Sequence, residues 1–287
     1  MEVFRPLNQL CGVCIMSNVP IKVFNIARTQ VDREEVRRWL DFIGAEGCEI
    51  PEDGAVTNPA LLIVLAGRRC YKSFVPGLNP NVTKVRSDLV EYLDNILKSG
   101  HGSVLEHSVY TFAIENVSRV FTGEMNRHRA GWAISEGSMR FIRFTDIDWW
   151  LPTSLQDAEG DSPTLRSRKE ESRKVFENAF KHQGDSYQKL LDIWDIPEGH
   201  HDFHYKKVVT SCMRRIVGMG VATGGVWSGN IRAIRHVITM RTDAAAEEEI
   251  YYVFTNILKI MSEKEPMLFG DFSKREDGSW VPKYRKV

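Results

Sequence analysis

Apolar positions along this chain recur mostly at the spacing of a buried helix face. Ile250, Val253, Phe254, Ile257, Leu258 and Met261 form the sharpest stripe. They predict a helix over Ala245–Glu263, with Asp243 at its start and Pro266 at its end. Val36, Trp39, Leu40 and Ile43 mark a helix over Val31–Ile43 that Gly44 would close. Ala60–Tyr71 reads as a buried helix, broken by Pro76-Gly77-Leu78-Asn79-Pro80. Leu89, Leu93, Ile96 and Leu97 place another over Asp88–Lys98, capped by Ser87 and stopped by Gly100. Ser162-Pro163 opens a long helix to Ile193 with a weak point at Gly184. Its inward stripe is Val175, Phe176, Ala179, Phe180, Tyr187, Leu190, Leu191 and Trp194. Its other face alternates in charge from Arg166 to Lys174, the mark of a solvated surface. Helices are also expected over Ser118–Arg129, Asp202–Val217 and Asn230–Arg241. Ile21–Ile26 and Ser108–Ile114 read as strands, Gly218–Gly229 as strand or loop, and residues 270–287 as a polar tail. With no convincing linker, the pattern points to one helix-rich α/β domain.

Charge narrows the function. The 38 basic and 38 acidic residues cancel. A nucleic-acid binder usually carries a basic excess, so no nucleic-acid partner is expected. Cys11, Cys14, Cys48, Cys70 and Cys212 are few and odd in number, which fits reduced thiols in a cytoplasm rather than a disulfide framework. Cys11-Gly-Val-Cys14 has no second CxxC to complete a zinc site and reads as two ordinary thiols. The longest apolar run, Ala60 to Ala66, is far too short to cross a bilayer, so no membrane partner is expected. His200 and His204 would share a helix face beside His201. No HExxH and no further ligand at plausible spacing accompany them, so no metal is expected.

The chemistry concentrates in residues 127–141. Arg127, His128 and Arg129 stand in a row, and guanidinium groups flanking an imidazole make a dense anion site. On a helix these side chains would point about 100° apart, so Arg127 and Arg129 would grip two ligands or two ends of one. If 136–141 is extended, Glu136, Ser138 and Arg140 share one face and Met139 and Phe141 the other, a polar rail with an apolar back. Further along, Arg232 and His236 are four apart and share a helix face, with Asn230 at its start and Arg241 at its end. No Gly-x-Gly-x-x-Gly turn follows a strand and no phosphate-binding P-loop is present, so a nucleotide would be held by Arg, His and Ser side chains.

Several segments, in order, resemble the flavin-dependent thymidylate synthases. Arg127-His128-Arg129 with Ser138 and Arg140 is similar to the family's signature. So are the Gly100–His107 loop, Ser228-Gly229-Asn230-Ile231-Arg232, and Met240-Arg241-Thr242-Asp243 before an acidic helix. The likeness covers roughly residues 60–270, co-linear throughout. It implies an α+β fold, a mixed antiparallel sheet flanked by helices. Residues 1–58 would then be an N-terminal addition with the first strand and an extra helix, 59–270 the catalytic domain, and 271–287 a C-terminal tail.

The resemblance also implies a homotetramer with FAD at subunit junctions. The reaction would be methylene transfer from methylenetetrahydrofolate to C5 of dUMP, with NADPH as reductant and the flavin carrying the hydride. His101, Ser103, Arg127, His128, Arg129, Asn230, Arg232 and His236 stand where the family contacts flavin. Glu124, Arg127, Glu136, Ser138, Arg140, Arg215 and Arg241 stand where it contacts nucleotide, with Arg214 competing for the Arg215 position. Arg241, Ser138 and His101 are the expected catalytic residues, Arg241 meeting the pyrimidine ring. A flavin-based reaction explains why Ser211-Cys212-Met213 lacks the Pro and His flanks of the cysteine-dependent thymidylate synthases. Glu124 replaces a common Gln, Ala133 a small polar residue, Ser135 an Asn, Phe141 a Tyr and His236 an Asn. Glu124 would be unfavourable near a phosphate unless it pairs with an Arg. These departures keep two other functions open: methylation of UMP or another pyrimidine nucleotide, and a non-catalytic nucleotide- or RNA-binding module.

Overall fold

A computed structural model describes residues 19–52, 54–82, 84–141, 148–196 and 202–287. These fall into two compact units rather than the single domain expected from the pattern. One holds residues 21–136 and 223–287, the other residues 19–20 and 137–222. The boundaries coincide with the end of one strand and the start of another, so the second unit is a long insertion between two strands.

The larger unit is built on four strands, β1 (Lys22–Arg28), β2 (Val109–Ser118), β3 (Trp132–Glu136) and β4 (Ala222–Asn230), in the order β1-β2-β4-β3. β1 pairs antiparallel with β2, and β3 antiparallel with β4, Trp132 opposite Gly229 and Glu136 opposite Gly225. Tyr110, Phe112 and Ile114 alternate inward from β2 and are buried. Helices α1 (Arg33–Phe42), α2 (Asn58–Tyr71), α3 (Leu89–Ser99) and the short α4 (Arg119–Met125) belong to this unit. After the insertion come α7 (Ile231–Arg241), α8 (Glu248–Lys264) and the single turn α9 (Pro266–Phe269). All six apolar positions of the α8 stripe are buried, each contributing about 1.5–3 kcal/mol of transfer free energy. Trp132 meets Phe254 of α8 edge-on at 6.4 Å, and Trp227 of β4 meets Phe121 of α4 at 5.8 Å.

The insertion carries α5 (Pro163–Ile193) and α6 (Phe203–Met213). Its core is Trp149, Leu151, Phe180, Tyr187, Leu191, Ile196, Val209, Met213 and Val221. α5 runs unbroken through Gly184. Its expected stripe is only half inward, since Val175 and Trp194 are 67% and 49% exposed.

Several expectations shift. Asp88, not Ser87, caps α3, accepting from the Val90 and Glu91 amides. Glu247, not Asp243, caps α8; Asp243 instead holds a turn through the Ala245 amide at 3.0 Å. Pro266 starts α9 rather than merely ending α8. Residues 272–282 are no loose tail. They form the hairpin of β5 (Phe272–Lys274) and β6 (Trp280–Pro282), joined to the unit by Trp280 N–H donating to Thr242 O at 3.0 Å. Arg235, 1% exposed, fastens the same region through a forked pair with Asp271 at 2.7 and 2.9 Å.

Candidate active site

Two segments more than a hundred residues apart meet in the larger unit. α4 ends at Met125, earlier than the expected Arg129, and its last turn tightens through Arg127 N–H to Glu124 O and His128 N–H to Met125 O. Arg127, His128 and Arg129 therefore sit in a turn, and the divergence argued for a helix does not apply. Gly131 (φ 76°) then swings the chain into β3. A side chain there would meet Ala233 and Asn230 at 2.7 Å, so the α7 start packs directly on this turn. Asn230 caps α7 through the Ala233 amide at 2.8 Å, and its own amide donates to Gly131 O at 3.0 Å.

At the other end of α7, Arg241 turns back to the same segment. Its Nε donates to His128 Nε2 at 2.8 Å and its Nη1 to Glu124 Oε2 at 2.6 Å. Since Nε2 accepts, the His128 proton resides on Nδ1. Burial, then the charges of Arg241 and His236, push the His128 imidazole below its ordinary pKa, against the opposing pull of Glu124. Burial thus favours the neutral form of His128, the form that can accept from Arg241. Glu124 has the Arg partner that its acidic character demanded. Arg127 and Arg129 are exposed, and their guanidinium groups make no ion pair among the described residues.

Arg232 lies against Gly102, where a Cβ would be 2.9 Å from its Nε, and donates to Glu106 Oε1 at 2.6 Å. That pair is about half exposed, worth little, and easily exchanged for a ligand anion. His101 precedes this 3-10 turn (Gly102–His107), its ring 5.9 Å from Tyr71, and Ser103 is exposed. His236 is exposed on the polar side of α7. Glu136 is held from both oxygens, by an ion pair with Arg119 and by Asn126 Nδ2 at 2.8 Å.

Ser138, Arg140 and Arg215 belong to the insertion unit. The extended rail over 136–141 does not form. β3 stops at Glu136, and Phe141 N–H closes a turn on Ser138 O at 3.0 Å. Ser211 on α6 organises the cations here, its Oγ accepting from Arg140 Nε at 3.0 Å and its carbonyl from Arg215 Nη1 at 3.0 Å. Arg140 also borders a cavity of about 170 Å³ with Phe141, Phe203, Lys206 and Lys207.

Sequence reasoning missed Arg119, Asn126, Glu106 and Ser211, each of which orients an expected site residue. Glu106 and Ser211 lay inside quoted segments; Arg119 and Asn126 carried no local signal. His200 and His201 lie outside the described residues. The donor set suits a flavin dinucleotide: two exposed guanidinium groups without carboxylate partners among the described residues, a weakly held third on α7, and capping amides nearby, in a sequence without a glycine-rich phosphate turn.

An antiparallel sheet with helices carries a basic turn that converges on a basic helix. The family model described as thymidylate synthase complementing protein matches residues 55–267. The chain belongs to the flavin-dependent thymidylate synthase family. It is 31% identical over 255 residues to the flavin-dependent thymidylate synthase of Mycobacteroides abscessus, covering 88% of this chain and 90% of that protein. It is 29% identical over 242 residues to the enzyme so named in Corynebacterium diphtheriae, covering 83% and 89%. Its fold is similar to that of a UMP/dUMP methylase, PolB from Streptomyces cacaoi, solved with 5-Br UMP. There the TM-score is 0.60 at 16% identity, covering 90% of this chain and 95% of that one.

Proposed function

We propose that this chain methylates dUMP at C5 to give dTMP, taking the one-carbon unit from methylenetetrahydrofolate and reducing equivalents from NADPH. The observation that carries this reading is the convergence of Arg241 on the Arg127–Arg129 turn through His128. FAD, when bound, supplies the hydride chemistry that no side chain can. Arg127, Arg129, Arg232 and His236, with His101, Ser103, His128 and Asn230, are the groups that would hold it. Glu136, Ser138, Arg140 and Arg215, with Arg127, are assigned to the nucleotide. Arg241 would receive the pyrimidine, where a cation at a ring oxygen or N3 stabilises the negative charge that grows as C5 attacks. Ser138 and His101 complete the catalytic assignment.

A homotetramer in the cytoplasm belongs to this reading. Phe24 and Ile26 on β1 are 52% and 55% exposed, apolar surface that a second copy would cover. No helix among the described residues is long and apolar enough to cross a membrane.

UMP is the second reading, favoured by Glu124, the acidic departure that touches Arg241 directly. The test is flavin absorbance of the pure protein, its mass in solution, and methyl transfer to dUMP and UMP side by side. A yellow tetramer that turns over dUMP faster than UMP supports the proposal. Faster UMP turnover moves it to the second reading. A colourless protein that takes up no FAD overturns both in favour of a non-catalytic nucleotide-binding module.

A further inference from the structure

We propose that Glu124 and His128 are positioning residues that clamp the Arg241 guanidinium from two sides, and that Glu124 serves the reaction through Arg241 rather than by touching the nucleotide. This deepens the assignment of Arg241 to the pyrimidine and rests on it. A guanidinium offers five N–H donors in a rigid plane. The Glu124 carboxylate takes Nη1 at 2.6 Å and the His128 imidazole takes Nε at 2.8 Å. Nη2 makes no hydrogen bond among the described residues. Two acceptors on separate atoms of a planar group fix both its rotation about the chain and the tilt of its plane. One nitrogen is left to address a ligand.

The two acceptors differ in kind. Glu124 sits on α4 and offers a carboxylate oxygen to Nη1, which fixes the direction in which Arg241 presents its remaining donor. His128 follows α4 in the turn and contributes a neutral lone pair. The pair is also partly withdrawn from water, with Arg241 at 19% and Glu124 at 27% side-chain exposure. In such a place a free guanidinium would sample many rotamers, and a misplaced donor costs far more in rate than in binding.

The clamp has a pH signature. Among the described residues, three charged or titratable groups face His128: Arg241 and His236 from α7, and Glu124 from α4. When His128 gains a proton, Nε2 can no longer accept, and two cations oppose each other across the former bond. Activity should therefore fall on the acid side with the protonation of His128. Glu124 favours that protonation, so Glu124→Gln should move the acid limb to lower pH while keeping an acceptor for Nη1.

The experiment compares wild type, Glu124→Gln and Glu124→Ala for kcat, nucleotide KM, flavin occupancy and pH profile. Histidine labelled with carbon-13 reports the His128 titration by NMR without any turnover. Glu124→Ala should lose about ten- to a hundredfold in kcat, with nucleotide KM and flavin occupancy changed far less. Glu124→Gln should recover much of that loss and shift both the acid limb and the NMR titration of His128 to lower pH. A Glu124→Ala enzyme with wild-type kcat, KM and pH profile overturns the clamp. So does a His128 titration that Glu124→Gln leaves unmoved. A wild type that binds flavin but methylates neither dUMP nor UMP overturns the functional reading instead, while the NMR titration still decides the clamp.

Discussion

Arg119, the first residue of α4, and Glu136, the last of β3, form an ion pair that ties the two ends of the Arg127–Arg129 turn together. Asn126 Nδ2 takes the other carboxylate oxygen at 2.8 Å. Both side chains of the pair are mostly buried, at 23% and 17% exposure. Arg119→Ala would release one oxygen of Glu136 and loosen the turn. The expected cost is about 1–3 kcal/mol of stability, together with a raised nucleotide KM and flavin retention closer to wild type. Denaturant melts and steady-state kinetics on the same preparation check it. A variant with unchanged stability and KM would show that Glu136 is held without Arg119.

The helices that carry the core were legible because their information is local. The α8 stripe repeats at helical spacing, and Gly44 and Gly100 stand just past the ends of α1 and α3 with φ of 73° and 71°. What failed depended on partners far along the chain. The hairpin at 272–282 has few apolar residues, and its anchors, Arg235 and Thr242, are distant in sequence. β3 ends at Glu136 because the chain leaves its partner β4 there, which alternation within 136–141 could not reveal. Caps misassigned by one to four residues reflect competition between neighbouring acceptors, such as Ser87 and Asp88. The site's membership came from a resemblance in motif order, not from periodicity. Its internal wiring did not, since Arg241 meets Glu124 across 117 residues.

Glu249 gives a pH prediction. It is fully buried and accepts from the Ser118 amide at 2.6 Å, with a close contact to the Ser118 hydroxyl. Burial dominates and pushes its carboxyl from the ordinary 4.5 up to about 7, against the hydrogen bonds of Ser118. The folded state thus holds a proton that the unfolded state has released. This contribution to stability is fully present below about pH 4.5 and is lost as pH rises through about 7, by at most about 3 kcal/mol. Glu249→Gln mimics the protonated form. Its stability relative to wild type should rise between pH 4.5 and 7.5, read by urea melts across that range. Parallel pH curves for the two proteins would contradict the shift.

Arg235 and Asp271 form a buried pair, so removing one partner without the other is costly. Asp271→Ala would leave the Arg235 guanidinium uncompensated in the core, losing about 3–5 kcal/mol. Adding Arg235→Met should recover part of that loss, because the stranded charge is gone. Equilibrium unfolding of the single and double variants measures it. A double variant less stable than Asp271→Ala alone would mean that the contacts of Arg235 with Leu268 O and with the rings of Phe269 and Phe272 outweigh its charge.

Gly131→Ala tests the packing of the basic turn on α7. The backbone there is left-handed, and the added methyl would sit 2.7 Å from both Ala233 Cβ and Asn230 Nδ2. Strain and crowding together should cost about 1–3 kcal/mol. The turn should also move relative to α7, so FAD retention should weaken along with the melting temperature. Unchanged melting with full flavin occupancy would mean that the turn adapts freely.

Arg241 carries the sharpest functional expectation. It closes α7 and is held by Glu124 and His128, so its direction is set before any ligand arrives. A cation so placed is worth most where charge develops during reaction, because its orientation costs nothing further at that moment. Arg241→Ala should lose about 2–4 kcal/mol of transition-state stabilisation, if its part resembles that of an oxyanion donor. Flavin occupancy should survive better, because Arg127, Arg129 and Arg232 are the groups assigned to the cofactor. Arg241→Lys should recover only a fraction. An ammonium cannot reach Glu124, His128 and a ring oxygen with donors fixed in one plane. Methyl transfer to dUMP is measured beside flavin absorbance in each preparation. Wild-type turnover in Arg241→Ala, or a loss that follows flavin depletion alone, would remove Arg241 from the pyrimidine site and assign it to holding the turn.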